Sequence, residues 1–110
     1  MYEYRCTILR VIDRDTVEVQ IDLGFDLSFK SPVRLKGLNA PEATGETKAA
    51  GLTAKSYLSG LLPIAGQITI HTDYRRERDK YGRVLGTFWV NGININQAMI
   101  DAGHAVPYMV

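Results

Sequence analysis

The chain has 110 residues, of which 45% are apolar and 23% charged, with a formal net charge of +1. This is the length and balance of one globular domain, which excludes low-complexity polymers and polycations, so a nucleic-acid partner has to be drawn by a local patch. One cysteine, Cys6, and two histidines, His71 and His104, exclude an internal disulfide, a cysteine zinc cluster and a histidine metal site.

Residues 2–12 alternate and are rich in β-formers (Tyr4, Cys6, Ile8, Val11, Ile12), which predicts a first strand with Cys6 as a small buried apolar residue. The chain starts without the basic, apolar and small-residue sections of a signal peptide, so a cytoplasmic location is expected unless a leader has been removed. Asp13-Arg14-Asp15 is a turn. Val17, Val19 and Ile21 alternate with polar residues over 16–22, a second strand paired with the first as a hairpin. Residues 22–31 are expected as a loop or irregular hairpin. A third strand covers 32–38, with Val33, Leu35 and Gly37 on one face.

The period then changes. Ala50, Ala54, Tyr57, Leu58 and Leu61 fall on one face of a helix from about Glu46 to Leu62, which Pro63 ends. Residues 67–74 alternate as a fourth strand, 75–82 form a polar loop, and 83–90 a fifth strand. Asn91-Gly92 is a turn, and Ile95, Met99 and Ala102 mark a short helix ended by Gly103. The order β-β-β-α-β-β-α predicts a mainly β, α+β fold, a five-stranded OB barrel in a single domain over 1–110, with an SH3-like barrel carrying an inserted helix as the competitor. No apolar run approaches the roughly 18 residues of a membrane span, so no membrane partner is expected.

Four clusters can bear chemistry. Asp13 and Asp15 share a hairpin tip, where two carboxylates suit a hard cation such as calcium, although Asp is also a common turn residue because its side chain bonds nearby backbone. Arg34 offers a planar fork for a phosphate, and Glu42 follows Pro41 in a loop after a strand, where catalytic groups often sit. The plain alternative is a solvated strand face with a loop acid. Residues 74–83, YRRERDKYGR, hold five basic and two acidic residues together with Tyr74 and Tyr81, either a phosphate-binding patch with stacking aromatics or a solvated loop. In GHAVPY, residues 103–108, His104 reads as structural and Tyr108 as a stacking surface.

Taken in order, VIDRDTVEV (11–19), VRLKGLNAPE (33–42), RDKYGRVLGTFWVNG (78–92) and INQAMIDAGHA (95–105) resemble the staphylococcal nuclease (thermonuclease) family across nearly the whole chain. The resemblance implies an OB-barrel endonuclease that hydrolyses DNA and RNA, single-stranded or locally open, with Ca2+. It implies Asp15, the side chain at Asn39 and the backbone carbonyl of Ala40 as metal ligands, and Glu42 as the general base that activates water. Arg34 and Arg83 would hold the scissile phosphate, with Lys80 and Tyr81 on a neighbouring one. The best-known member of the family continues into a further C-terminal helix, so this chain is expected to be either a compact variant or a trimmed one.

Two positions depart from the family pattern. Its glycine between the aspartates is Arg14 here, and its second metal aspartate is Asn39. Asn39 keeps an oxygen that can coordinate calcium but removes one charge, so weaker metal binding is expected. Arg14 points into solvent, reaches toward substrate phosphate, or folds over the site and competes with the metal. Because glycine in a tight turn often marks positive φ, Arg14 also raises the prospect of a different turn. The alternative to an active nuclease is a nuclease-derived OB module that binds nucleic acid or protein without cutting.

Overall fold

The computed structural model describes residues 2–40, 48–63, 66–72 and 83–108. Glu42, Lys80 and Tyr81 lie outside them, as do the first residues of the expected helix and most of the basic loop. Among the described residues ten elements follow in chain order: β1 (Tyr2–Asp13), β2 (Thr16–Gly24), β3 (Leu27–Leu35), β4 (Leu38–Asn39), α1 (Lys48–Leu61), β5 (Gln67–Thr72), β6 (Val84–Val90), β7 (Ile93–Asn94), α2 (Ile95–Asp101) and β8 (Val106–Pro107).

The five long strands close on themselves. β3, β2, β1, β5 and β6 pair side by side in that order, and β3 also pairs with β6 in parallel, with Val33 opposite Val84 and Arg34 opposite Leu85. That closed five-stranded ring is an OB-type barrel, and closure removes the sheet edges that would otherwise remain unpaired. Inward residues alternate along each strand, as the period of two requires: Cys6 and Ile8, Val17, Val19 and Ile21, Val33 and Leu35, Ile68 and Ile70, Val84 and Phe88 are all buried. No described helix is long and apolar enough to cross a membrane.

Several expectations shift. Of the two courses expected for residues 22–31 the structure takes the irregular hairpin and not the loop: β2 and β3 continue through them, with a register shift between Asp22 and Gly24, and meet at a tight turn where Phe25 and Asp26 both have positive φ, 54° and 63°. The third strand ends at Leu35, because Gly37 turns the chain with φ +83° instead of continuing the strand face. In α1 the buried residues are Gly51, Ala54 and Leu58, so the inward face is rotated from the expected one: Ala50 is exposed and Tyr57 half-exposed. Gly51 lacks the side chain that apolar counting looks for, which is why the face was displaced. Residues β7, α2 and β8 form a continuous return path that brings the C-terminal segment back to β4.

Candidate functional site

The site grows from the register of β2 on β3. Thr16 pairs with Arg34 and Val17 with Val33, so Asp15, one residue before Thr16, lies at the end of the hairpin beside Arg34. The Leu35 amide donates to the Asp15 carbonyl at 2.8 Å, tying the tip of the β1–β2 hairpin to the end of β3. Pairing shifts between Ile8 and Arg10 and between Val11 and Asp13 bend and twist β1 as it approaches this tip. Arg14 and Asp15 form the turn itself. The described non-glycine residues with positive φ are Phe25, Asp26 and Asn91, so Arg14 sits in ordinary backbone and the turn has no need of glycine.

The other half of the site is set by the turn after β3. Gly37 reverses the chain, and β4 then pairs antiparallel with β8, Leu38 opposite Pro107 and Asn39 opposite Val106. The Tyr108 amide donates to the Gly37 carbonyl at 2.9 Å. Asn96, only 4% exposed, fastens this turn to the barrel. Its Nδ2 donates to the carbonyls of Lys36 (2.9 Å) and Gly86 (3.0 Å), and its Oδ1 accepts from the Phe88 amide at 3.2 Å. The Lys36 amide also donates to Gly86 O at 2.9 Å. Reading the sequence for apolar period passed over Asn96. The signal was a polar residue between Ile95 and Met99 in the first turn of a helix whose buried face includes both.

Asp15, Arg34, Asn39 and Ala40 come together. Arg34 Nη2 lies 3.5 Å from Asp15 Oδ2 and donates to Asn39 Oδ1 at 3.4 Å and to Leu38 O at 3.3 Å. One nitrogen thus reaches both side-chain oxygens, which places them around the same small space. Asp15 is 2% exposed, and its other oxygen accepts from Thr16 Oγ1 at 3.0 Å. A buried carboxylate is tolerated because it is paired and hydrogen-bonded.

Arg14 folds inward. Its side chain is 16% exposed, its Nε donates to Ala40 O at 3.3 Å, and its Nη2 lies 3.9 Å from Asp15 Oδ2. It also pairs through Nη1 with Asp13 Oδ2, while its amide donates to Asp13 Oδ1 at 2.8 Å. Of the three courses open to Arg14, the structure takes the one that covers the site.

Arg83 stands one residue before Val84, which pairs with Val33, so the barrel brings it to the strand next to Arg34. Tyr108 is exposed and lies past the β4–β8 ladder, one strand away from Asn39. His104 is structural: its ring packs on Tyr57 with centroids 4.5 Å apart, and its amide caps α2 by donating to Met99 O.

The oxygens of Asp15, Asn39 and Ala40 are hard donors of the type calcium takes, and their shared neighbours show that they converge. The set fits such an ion chemically, with one condition: each of the three faces a guanidinium nitrogen. Among the described residues, no three His, Cys, Asp or Glu side chains cluster, and the two oxygens set beside Asp15 here, those of Asn39 and Ala40, are neutral.

The family described as staphylococcal nuclease homologue matches residues 32–110. The chain is 32% identical over 117 residues to a protein named ParB of Escherichia coli, covering 96% of this chain and 58% of that one. It is 33% identical over 102 residues to an uncharacterized endonuclease of Escherichia coli, covering 92% of this chain and 59% of that one. A second uncharacterized endonuclease, of Escherichia coli O157:H7, matches at the same identity and coverage. The chain therefore spans less than two thirds of the length of these relatives.

Proposed function

Because the chain belongs to the staphylococcal nuclease family, we propose that it hydrolyses phosphodiester bonds of DNA or RNA in a calcium-dependent reaction at the Asp15–Arg34–Asn39 site. The observation that supports this reading is the convergence of a buried carboxylate, a guanidinium, an amide oxygen and a backbone carbonyl on one space at the rim of the barrel. Asp15, Asn39 and the Ala40 carbonyl would hold the ion, which when bound supplies positive charge against the negative charge of the reacting phosphoryl group.

The chain's own residues do the rest. Arg34 and Arg83, on neighbouring strands, hold the phosphate and offset the charge that develops on its oxygens as water attacks. Charge that strengthens in the transition state raises the rate, whereas equal attraction to substrate would only tighten binding. Glu42, two residues beyond Ala40, is the base that takes a proton from the water. Lys80 and Tyr81, assigned from the sequence, and the exposed Tyr108 are the further substrate contacts of this reading. Stacking and phosphate contacts favour single-stranded or locally open substrates and carry little base information.

Cleavage of single-stranded DNA and of RNA, with calcium and with chelator, tests the reading. Wild type is expected to cut with calcium and stop with chelator, and Glu42→Gln to lose cutting while keeping binding. Absence of cutting at calcium well above millimolar would overturn it in favour of a second reading, a nucleic-acid-binding module. The feature that favours that second reading is Arg14, whose guanidinium already sits on Ala40 O and beside Asp15.

A further inference from the structure

We infer that Arg14 and a divalent cation are alternative occupants of one position, so that Arg14 is a built-in counter-cation that must withdraw before an ion can enter. This rests on the proposed function's assignment of Asp15, Asn39 and Ala40 as ion-holding oxygens. The contacts themselves do not depend on it.

An arginine at a hairpin tip has water on most sides and a long side chain whose charged head ordinarily stays there. Arg14 does the opposite, with only 16% of its side chain exposed. Its guanidinium edge takes the Ala40 carbonyl, and its far nitrogen approaches the Asp15 carboxylate. Arg34 faces the remaining side of Asp15 and the Asn39 oxygen. A cation binding these oxygens at about 2.3–2.6 Å needs them turned to itself, and it would be repelled by a guanidinium already bonded to them. The two occupants therefore exclude each other on both geometric and electrostatic grounds.

The arrangement also allows exchange. Asp13 holds Arg14 at both ends, its Oδ1 accepting from the Arg14 amide and its Oδ2 pairing with Nη1, and because Asp13 lies at the end of β1 opposite Thr16, the guanidinium leaves the site by turning about its own side-chain bonds. The Arg14 backbone is unstrained, so replacement does not need a new turn. Asn39 stays in place because β8 holds the backbone of β4. Removing Arg14 thus opens the position without dismantling the oxygens.

The test is calorimetric titration of calcium into wild type, Arg14→Ala, Asn39→Asp and the double variant, each first shown folded by circular dichroism. Arg14→Ala is expected to bind calcium at least about tenfold more tightly than wild type, since it removes one repelling charge at contact range. Asn39→Asp is expected to gain more affinity in the Arg14→Ala background than alone, because in wild type the new carboxylate is met by guanidinium groups. Such non-additivity is the signature of a shared position. Arg14→Lys, which keeps the charge, is expected to stay near wild type. Equal calcium affinity in wild type and Arg14→Ala would overturn the inference and leave the nuclease reading intact. Failure of every variant, the double one included, to bind calcium would overturn the ion assignment and the inference with it. Cleavage is measured separately, so neither result depends on activity.

Discussion

Asn96 offers the sharpest test of how the barrel positions the site. Replacing it with alanine removes three hydrogen bonds from a residue that is 4% exposed. The three partners do not suffer equally. The Gly86 carbonyl keeps the Lys36 amide as a partner, and the Lys36 carbonyl lies in a part-buried bond that water can replace. The Phe88 amide is fully buried and loses the acceptor at 3.2 Å. An orphaned buried donor costs about 1–3 kcal/mol and each of the other losses about 0.5–1.5 kcal/mol, which gives a cost of about 3 kcal/mol. Trp89 is the single tryptophan, so urea unfolding can be followed by its fluorescence. With a urea m value of about 1.5–2 kcal/mol/M, the midpoint should fall by roughly 1.5–2 M with m unchanged. Asn96→Asp should be at least as damaging, since it loses both donated bonds and buries a charge. A cost below about 1 kcal/mol for Asn96→Ala would refute the claim that this side chain fastens the β3–β4 turn to β6.

The remaining predictions address other parts of the fold. A Cβ on Gly86 would meet Ile70 Cδ1 at 2.6 Å, its Cγ1 at 2.9 Å and Val33 Cγ1 at 3.2 Å. Gly86→Ala should therefore cost about 1–3 kcal/mol, read as a lowered thermal midpoint. Burial pushes the Cys6 thiol from 9.0 up to about 12, so a thiol reagent at pH 8 should label it only as the barrel opens. The sign of the linked stability follows: the unfolded thiol ionises near its ordinary pKa while the folded one stays protonated, so this group lowers stability as pH rises from 9.0 toward 12. Phe25 is 99% exposed at positive φ, and Phe25→Asn should stabilise the turn by about 0.5–1 kcal/mol, read as a raised urea midpoint. Asp15→Asn would leave Arg14 and Arg34 facing each other without their shared carboxylate, at a cost of about 3 kcal/mol by urea titration, much of which Arg14→Ala should recover.

The barrel was legible because its strands obey a period of two, and Val17, Val19, Val33, Leu35, Ile68 and Ile70 are all inside as that period demands. The β2–β3 turn was not, because Phe25-Asp26 lacks the Asn-Gly chemistry that marks positive φ in sequence, whereas Asn91-Gly92 was read at once. The β4–β8 ladder was hidden by its size: two-residue strands leave no alternation to detect. At the site, the order of motifs pointed to Asp15, Arg34 and Asn39; the register of β2 on β3 brings the first two together, and the Gly37 turn with the β4–β8 pairing brings the third. Asn96 escaped because its role is to bond three backbone groups from separate elements, which no local pattern encodes. The course of Arg14 was equally closed to sequence reading, since a flexible side chain at a hairpin tip is placed by whatever oxygens the rest of the fold delivers.

The two departures from the family pattern make more sense together than singly. Arginine in place of glycine and asparagine in place of aspartate each make the site more positive by one unit, and jointly they supply the charge of one divalent ion. In the closed arrangement guanidinium charge is what faces Asp15. The carboxylate already has Arg34 at 3.5 Å and Arg14 at 3.9 Å. Attraction at such distances amounts to roughly 4 kcal/mol per unit pair at an effective dielectric of 20, before the cost of desolvation is taken off. Asn39 accepts from Arg34 without adding a second carboxylate to the site. On the proposed ion assignment, an aspartate there is expected to favour the ion over Arg14. On this argument position 14 and position 39 set one equilibrium between a guanidinium-closed site and an open one, and a change at either is felt through the other.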